Sequence, residues 1–173
     1  MDETLYENKI LRLLRRTVKI EGQDVKRTVI AMPDAVMVIA VDTANNVHFL
    51  EEYMAPQEGF QATFVKGAID AGDTPEGAAK RELGEELSMQ AAEVTLLLKL
   101  DDRPSHLTTQ THVFVARGCT PLQNASKGDE EKGTLRKKTM PLAEMVKSRK
   151  EIFTCARCLA AVGELALIDS GQA

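Results

Sequence analysis

The stretch GAIDAGDTPEGAAKRELGEELSM, residues 67–89, decides the fold and the chemistry that we predict for this chain. On an α-helix, at 100° per residue, its Glu82, Glu85 and Glu86 fall within an arc of about 100° on one turn. Like charges spaced three or four residues apart destabilise an isolated helix by about 0.2–0.5 kcal/mol per pair. Such a cluster needs either solvent or a bound cation, and oxygen ligands of this kind suit Mg²⁺ and Mn²⁺.

The same stretch carries the signals of a helix that begins after Thr74. Thr74 is a suitable N-cap, Pro75 fits the first helical position, and Glu76 adds a negative charge to the first turn. The helix is predicted to run to about Leu87, with an apolar stripe spaced four residues apart along one face. The carboxylate cluster would then lie on the last two turns.

Strands and helices alternate along the rest of the chain without internal repeats. The segments 18–20 and 25–30, joined around Gly22, predict a hairpin, and the apolar run 35–41 indicates a buried central strand. The further predicted strands are 47–53, 61–66, 94–100, 112–117 and 134–140, and the further predicted helices are 141–149 and 152–168. The polar segment 118–134 is expected to be a loop. The fold class is therefore α/β with a mixed sheet, not a doubly wound parallel sheet.

Composition limits the classes of function. A length of 173 residues predicts one domain with a small N-terminal addition. The net charge of −4 and the pI near 5.5 give no electrostatic footprint for extended nucleic acid. The N-terminus is polar and no apolar run approaches 18 residues, so we expect a soluble, cytoplasmic protein without a membrane partner.

Three cysteines, Cys119, Cys155 and Cys158, are too few for a disulfide framework. The CxxC spacing of Cys155 and Cys158 suggests a redox or zinc site, but no second CxxC or histidine pair completes a zinc site. The segment 153–168 is also consistent with one apolar helix, in which cysteines three residues apart are small buried side chains. We therefore expect this pair to serve packing.

The pattern of residues 67–89 resembles the Nudix box, Gx5Ex7REUxEExGU, in which U is a bulky aliphatic residue. The matching residues are Gly67, Arg81, Glu82, Leu83, Glu85, Glu86 and Met89. Asp73 replaces the first glutamate of the box and Ser88 the late glycine. The RELGEE run alone would be ordinary for a solvated helix. Together with the glycine at its spacing, it should arise by chance in roughly a few chains per 10⁵ at average composition.

Outside the box, the resemblance rests on segment 64–70, the preceding hairpin and the short segments 103–105, 128–130 and 156–157. Together these look like ADP compounds hydrolases of the NudE type, within the ADP-ribose pyrophosphatase group, and the resemblance covers about residues 10–168. It implies the Nudix fold, a mixed β-sheet sandwiched between helices, with an N-terminal β-hairpin extension. We therefore divide the chain into an extension, 1–33, expected to mediate dimerisation, and a Nudix hydrolase domain, 34–173. Dimers are usual in this group, so the resemblance also implies a homodimer.

The function implied by this resemblance is a pyrophosphohydrolase that depends on Mg²⁺ or Mn²⁺. Its partner would be a small nucleoside diphosphate derivative, namely ADP-ribose, NADH or a dinucleoside polyphosphate, from which it releases AMP. One alternative is a non-catalytic nucleotide-binding or regulatory protein of the same fold, which the departures Asp73, Ser88 and Glu51 favour. Glu51 lies where such enzymes often carry an arginine, and it cannot donate to a phosphate. Another alternative is a Nudix enzyme for nucleoside triphosphates or RNA caps.

The same resemblance assigns roles to individual residues. The metal ligands would be Gly67, through its carbonyl, together with Glu82, Glu85 and Glu86. Glu85 is also one candidate for the general base, and Glu130 or Glu131 in the 118–134 loop is the other. Arg81 is expected to brace Glu82 or Asp73, although a surface ion pair would explain an arginine there equally well. The candidate substrate-binding residues are Arg27, Lys66, Arg103 and Ser105, of which Arg27 would act on the active site of the dimer partner.

Overall fold

The computed structural model describes residues 2–123 and 134–172, which form a mixed β-sheet between helices. The central strand β4 (Ala35–Asp42) pairs in parallel with β10 (Gln110–Pro121). It pairs antiparallel with β5 (Asn46–Met54) and β7 (Val65–Ala68). The predicted mixed α/β sheet is therefore confirmed.

The remaining strands extend the sheet on both sides of β4. Strand β5 also pairs with β6 (Gly59–Thr63) and β11 (Leu135–Pro141). Strand β10 also pairs with β8 (Met89–Gln90) and β9 (Glu93–Asp101). The described helices are α1 (Pro75–Leu87), α2 (Leu142–Ile152) and α3 (Ala156–Asp169), and a short 3₁₀ turn spans Ala55–Gln57.

Strand β4 is buried on both faces, which explains its continuous apolar sequence. Met37, Ile39 and Val41 on one face join the core cluster that contains residues of α2 and α3. The alternate residues on the other face join the cluster that contains the buried face of α1. The sheet is thus sandwiched between helices, as predicted, and α1 is the one described helix on the face that carries the carboxylate cluster.

The N-terminal residues form a separate antiparallel sheet of β1 (Asp2–Glu7), β2 (Arg12–Ile20) and β3 (Gln23–Ala31). The predicted hairpin is present and longer than expected, and β1 adds a strand that the sequence did not predict. Ile30 ties this sheet to the rest of the chain: its N–H donates to the carbonyl of His106 at 2.8 Å, and its carbonyl accepts from the N–H of Thr108 at 3.2 Å.

Helix α1 has the predicted N-terminal cap. The hydroxyl of Thr74 accepts a hydrogen bond from the N–H of Gly77 at 3.0 Å, and Pro75 occupies the first turn. At the other end Ser88 adopts the left-handed conformation, φ 58° and ψ 40°, and its N–H donates to the carbonyl of Gly84 at 3.0 Å. Glycine adopts this conformation without steric strain, so Ser88 is a strained residue at the helix end.

Several predicted element boundaries were wrong. Strand β10 continues to Pro121, so residues 118–121 of the predicted loop 118–134 are strand, and α2 continues to Ile152 instead of ending at 149. The strand expected at 61–66 is interrupted at Phe64, which separates β6 from β7. The last helix begins at Ala156 rather than near residue 152, because Phe153 and Cys155 have extended backbones that end α2 and precede α3. Among the described helices, none is both long and apolar enough to span a membrane.

We predict that Ser88→Gly raises the free energy of unfolding by about 0.5–1 kcal/mol. The substitution removes the steric strain of a side chain at φ 58°, and this gain exceeds the added chain entropy of glycine. The weak 3.4 Å contact from Lys137 Nζ to Ser88 Oγ is the only described side-chain hydrogen bond lost. Urea unfolding followed by circular dichroism measures the difference.

The matched control is Ser170→Gly at the end of α3. Ser170 has φ −85° and ψ −5°, where glycine relieves no strain, and its hydroxyl donates to the carbonyl of Leu167 at 2.9 Å. This variant should be no more stable than the wild type. An equal effect of the two substitutions would contradict the assignment of strain to Ser88.

Candidate catalytic site

Strand β7 and helix α1 meet at Gly67 and Glu82, at the centre of the candidate site. A β-carbon placed on Gly67 would overlap the carboxylate of Glu82, whose side chain is only 11% exposed. One turn further along α1, Glu86 accepts a hydrogen bond from the N–H of Lys66 at 3.1 Å. Two carboxylates of the helix therefore pack against the backbone of β7.

Arg81 holds this arrangement together. Its guanidinium donates to Glu82 Oε1 at 2.7 Å, to Glu85 Oε2 at 3.1 Å and to the carbonyl of Ala68 at 3.0 Å. Because the last contact reaches the end of β7, Arg81 links the helix to the strand as well as bracing the two glutamates. The alternative of a simple surface ion pair does not describe this set of contacts.

Asp73 does not reach Arg81 as closely. The distance from Arg81 Nε to Asp73 Oδ2 is 3.9 Å, too long for a hydrogen bond, and Nε is buried without a partner among the described residues. A glutamate would bring its carboxylate one methylene further from the backbone. The shorter side chain of Asp73 thus leaves one donor of Arg81 unsatisfied, while its carboxylate accepts from the N–H of Thr74 at 2.8 Å.

Burial raises the pKa of both inner carboxyl groups. The pKa of Glu86 rises from 4.5 to about 7 because the group is desolvated, although the N–H and charge of Lys66 oppose the rise. Desolvation also raises the pKa of Glu82, against the effect of Arg81. No ion pair reaches Glu86 within residues 2–123 and 134–172, because the ammonium group of Lys66 pairs with Glu52.

A hard divalent cation fits the chemistry of this donor set. The groups that could hold it are the carboxylates of Glu82, Glu85 and Glu86 and the carbonyl of Gly67. In the described part of the chain no three carboxylate, imidazole or thiolate side chains converge closely enough to coordinate one ion. Glu86 is nevertheless largely buried, has a raised pKa and has no ion-pair partner among the described residues. A bound cation would supply that partner.

A cavity of about 990 Å³ adjoins this cluster at Lys66 and Gly67, although Glu82, Glu85 and Glu86 are not among its lining residues. Lys66, Gly67 and Asp70 line it beside α1, and Arg103, whose φ is 47°, lines it at a distant loop. The remaining wall is largely apolar and includes Ile10, Met32, Pro33, Val36, Leu100 and Leu107. A cavity of this size and composition suits an organic ligand of nucleotide size.

The sequence analysis assigned no role to Arg157, which also lines the cavity. Its guanidinium donates to Asp102 Oδ2 at 2.9 Å and to Thr111 Oγ1 at 3.3 Å. Thr111 in turn donates to Asp102 at 2.6 Å, so the three side chains form one network. The sequence places these residues on three distant elements, and no spacing could have shown that they meet.

Several predicted site residues lie away from the carboxylate cluster. Ser105 is exposed and within 2.8 Å of His106 Nδ1, and it does not line the cavity. Arg27 lies opposite Arg16 in the N-terminal sheet, also outside the cavity wall. Glu130 and Glu131 lie outside the described residues. Glu51 pairs with Lys138 at 3.2 Å and approaches Arg136 at 4.0 Å, so it supports β11.

Comparison with known proteins places this geometry in a family. The sequence model of the NUDIX domain matches residues 31–157. A methanol dehydrogenase activator of Bacillus methanolicus is 28% identical over 130 residues, 75% of this chain and 70% of that protein. The ADP compounds hydrolase NudE of Escherichia coli K12 is 33% identical over 113 residues, 65% of this chain and 59% of that protein. An ADP-ribose pyrophosphatase of Bacillus subtilis 168 is 27% identical over 130 residues, 75% of this chain and 70% of that protein.

A solved structure agrees with the sequence comparison. The crystal structure of an ADP compounds hydrolase superposes with a TM-score of 0.83 at 27% identity, covering 100% of this chain and 95% of that one. The match includes the N-terminal sheet as well as the central sheet and helices. Since the family model also spans well over half of the sequence, the chain belongs to the Nudix hydrolase family.

Proposed function

We propose that this chain is a pyrophosphohydrolase that uses Mg²⁺ or Mn²⁺ to cleave the diphosphate of an ADP derivative and release AMP. ADP-ribose, NADH and dinucleoside polyphosphates are the candidate substrates. The names of two relatives, an ADP compounds hydrolase and an ADP-ribose pyrophosphatase, support this class of substrate. The observation that carries the proposal is the contact between the Glu82 carboxylate and Gly67, which joins an anionic turn of α1 to a residue of the cavity wall.

The chain's own residues would position the reacting groups. A bound divalent cation would supply neutralisation of the diphosphate charge and a lowered pKa for an attacking water. Glu82, Glu85, Glu86 and the Gly67 carbonyl would hold it. Arg81 would keep Glu82 oriented through the 2.7 Å hydrogen bond, and the N–H of Lys66 would orient Glu86 through the 3.1 Å hydrogen bond.

Two positions are candidates for the general base that accepts the proton of the attacking water. Glu85 is more exposed than Glu82, with side chains 42% and 11% exposed, and it forms an ion pair with Arg81. A carboxylate in that position is accessible to water but shares its charge with a guanidinium. Glu130 or Glu131 is the other candidate. The variants Glu85→Gln, Glu130→Gln and Glu131→Gln distinguish them, because loss of the base removes the acidic limb of the pH–rate profile.

The substrate would extend from the carboxylate cluster towards Arg103 and Arg157. The diphosphate would lie near Lys66 and Gly67, and the apolar wall would contact the adenosine or the second moiety. Arg103 is exposed and lies in the wall, so it is available to a phosphate or a ribose hydroxyl. Arg157 is held by Asp102, and its role would be to shape the far end of the cavity.

The alternative is a non-catalytic nucleotide-binding protein of the same fold. The unsatisfied Nε of Arg81 beside Asp73 favours this alternative. Asp73 holds Arg81, and through it the metal-binding turn, less firmly than a glutamate would. Retention of Glu82, Glu85 and Glu86 favours the enzyme. A chain that binds ADP-ribose but releases no AMP from any candidate substrate, with either Mg²⁺ or Mn²⁺, would establish the binding protein.

We predict that Glu86→Gln lowers the rate of AMP release at least ~10²-fold on the best substrate of the panel. The substitution removes a buried charge from the proposed cation site while keeping the shape and the acceptor for the Lys66 N–H. The measurement is chromatography of AMP formed from ADP-ribose, NADH and diadenosine polyphosphates in the presence of Mg²⁺ or Mn²⁺.

Glu76→Gln is the control on the same helix. Glu76 is exposed in the first turn and pairs with Lys80, away from the cluster. Its rate should stay within about twofold of the wild type, since a surface ion pair of this kind contributes little. Equal rates for Glu86→Gln and Glu76→Gln would remove the role assigned to Glu86.

We predict that Glu86→Gln is more stable than the wild type at pH 8 when both are stripped of metal with EDTA. A carboxyl whose pKa is raised from 4.5 to about 7 binds its proton more tightly in the folded state than in the unfolded chain. The free energy of unfolding of the wild type therefore falls as pH rises from about 4.5 through 7. Glutamine is neutral throughout, so the two proteins should be similar at pH 5 and differ by about 2–3 kcal/mol at pH 8.

Chemical denaturation at a series of pH values measures this divergence. Glu76→Gln again serves as the control, and its free energy of unfolding should run parallel to that of the wild type. Parallel curves for Glu86→Gln would contradict a buried, destabilising charge at this position. Excess Mg²⁺ should reduce the difference at pH 8, because the cation stabilises the wild type and binds the variant less well.

We also propose that the N-terminal sheet joins two copies of the chain into a homodimer. Strand β1 is an exposed edge, and the sheet leaves large apolar side chains in solvent: Leu5, Tyr6, Ile10 and Ile20. In such a dimer Arg27 would be free to reach the partner's cavity. Sedimentation equilibrium should give twice the chain mass of 19.0 kDa. A mass of one chain at micromolar concentration would overturn the dimer.

A further inference from the structure

The two cysteines of the CxxC sequence occupy different surroundings. Cys158 lies inside the core between the sheet and α3 and is fully buried. Cys155 is half-buried and lines the cavity, immediately before α3. The predicted packing role describes both cysteines, since Cys155 also packs against the core cluster that contains Cys158, but Cys155 borders the cavity as well.

Three features of the fold stabilise a negative charge on the sulfur of Cys155. Cys155 is the N-cap residue of the 14-residue helix α3, where the helix dipole and free N–H groups favour an anion. The thiol of Cys158 and the guanidinium of Arg157 also lie close enough to interact with it. These interactions lower the pKa of Cys155 despite its partial burial, and the neighbouring sulfur of Cys155, followed by burial, raises the pKa of Cys158.

We propose that Cys155 and Cys158 form a redox pair in the cavity wall, in which Cys155 reacts with peroxides and Cys158 closes an intramolecular disulfide. Cys155 is the residue of the pair that a small oxidant can reach, because it borders the cavity. Cys158 is one helical turn away and shielded from solvent. This is the division between an attacking thiol and a resolving thiol.

The reaction balances with a hydroperoxide as the oxidant. The thiolate of Cys155 attacks the terminal oxygen of ROOH: an S–O bond forms, the O–O bond breaks, and the alkoxide leaves and takes a proton from solvent as ROH. The sulfur of Cys158 then attacks the sulfenic acid at Cys155, forming the S–S bond and breaking the S–O bond. The departing hydroxide takes the proton of Cys158 as water. The two sulfurs together lose two electrons to the peroxide.

Oxidation would change the cavity at one defined place. A disulfide would remove the negative charge of the Cys155 thiolate beside Arg157 and draw Cys155 towards the core. The Arg157–Asp102 ion pair would then lose the neighbouring thiolate. Oxidation of the two cysteines does not require the proposed hydrolase activity, since the tests measure alkylation, disulfide formation and sulfenic acid at Cys155 and Cys158. A negative result here and a negative result in the substrate panel are therefore separate outcomes.

The reactivity of Cys155 is tested by alkylation of the whole chain. At pH 6 a thiol with an ordinary pKa of about 8.5 is only about 0.3% ionised. Iodoacetamide should modify Cys155 at least ~10-fold faster than it modifies N-acetylcysteine under the same conditions, as measured by mass spectrometry of the peptides. A rate no greater than that of N-acetylcysteine would overturn the proposal.

The disulfide has a direct signature, because Arg157 lies between the two cysteines. Trypsin cleaves after Lys150 and after Arg157, so it releases 151–157 with Cys155 and 158–173 with Cys158 as separate peptides. After treatment with hydrogen peroxide and blocking of free thiols, a non-reducing digest should show the two peptides linked, and dithiothreitol should separate them. Absence of the linked pair at peroxide concentrations that oxidise Cys155 would overturn the resolving role of Cys158.

Variants separate the two roles. In Cys158→Ala, peroxide should leave a sulfenic acid on Cys155 that dimedone traps, with no linked peptide. In Cys155→Ser, neither the dimedone adduct nor the linked peptide should form. Dimedone labelling of Cys158 in the Cys155→Ser variant would show that the roles assigned here are wrong. The wild-type digest remains a complete test if the buried Cys158→Ala variant does not fold.

Discussion

The contact between the Glu82 carboxylate and the backbone of Gly67 is the constraint on which the candidate site depends. Any side chain on Gly67 would displace that carboxylate, so the strand can approach the helix this closely only with glycine at that position. The approach also brings Lys66 under Glu86, where its N–H orients the second carboxylate. Burial of both acids then follows from packing, and it is the burial that raises their pKa values.

Much of this site could be predicted because its parts lie within one short stretch of chain. Thr74, Pro75 and the spacing of the glutamates are local signals, and the structure reproduces the helix that they predict. The long apolar run of β4 was equally informative, because a strand buried on both faces has no alternation to obscure it. The mixed sheet and the side of it that carries α1 follow from these two elements.

The parts that could not be predicted depend on contacts between distant segments. Strand β1 is exposed along its whole length and its large apolar residues, Leu5 and Tyr6, are adjacent, so its sequence shows no alternating apolar pattern, and it is a strand only because β2 pairs with it. The network of Arg157, Asp102 and Thr111 joins α3, the segment after β9 and β10. The spacing of the CxxC sequence indicates two small side chains packed in a helix. It cannot show that Cys155 borders a cavity while Cys158 lies in the core.

The two departures from the Nudix box affect the supports of the cluster and leave its carboxylates unchanged. Ser88 stores strain at the end of α1, and Asp73 leaves Nε of Arg81 unsatisfied at its beginning. Both weaken the helix that presents Glu82 and Glu86, and two buried acids already oppose folding above their raised pKa values. A bound cation would compensate for these effects, because it would bind the folded turn and not the unfolded chain. We therefore expect the stability of this chain to depend on divalent metal more strongly than that of a relative with glutamate and glycine at the two positions.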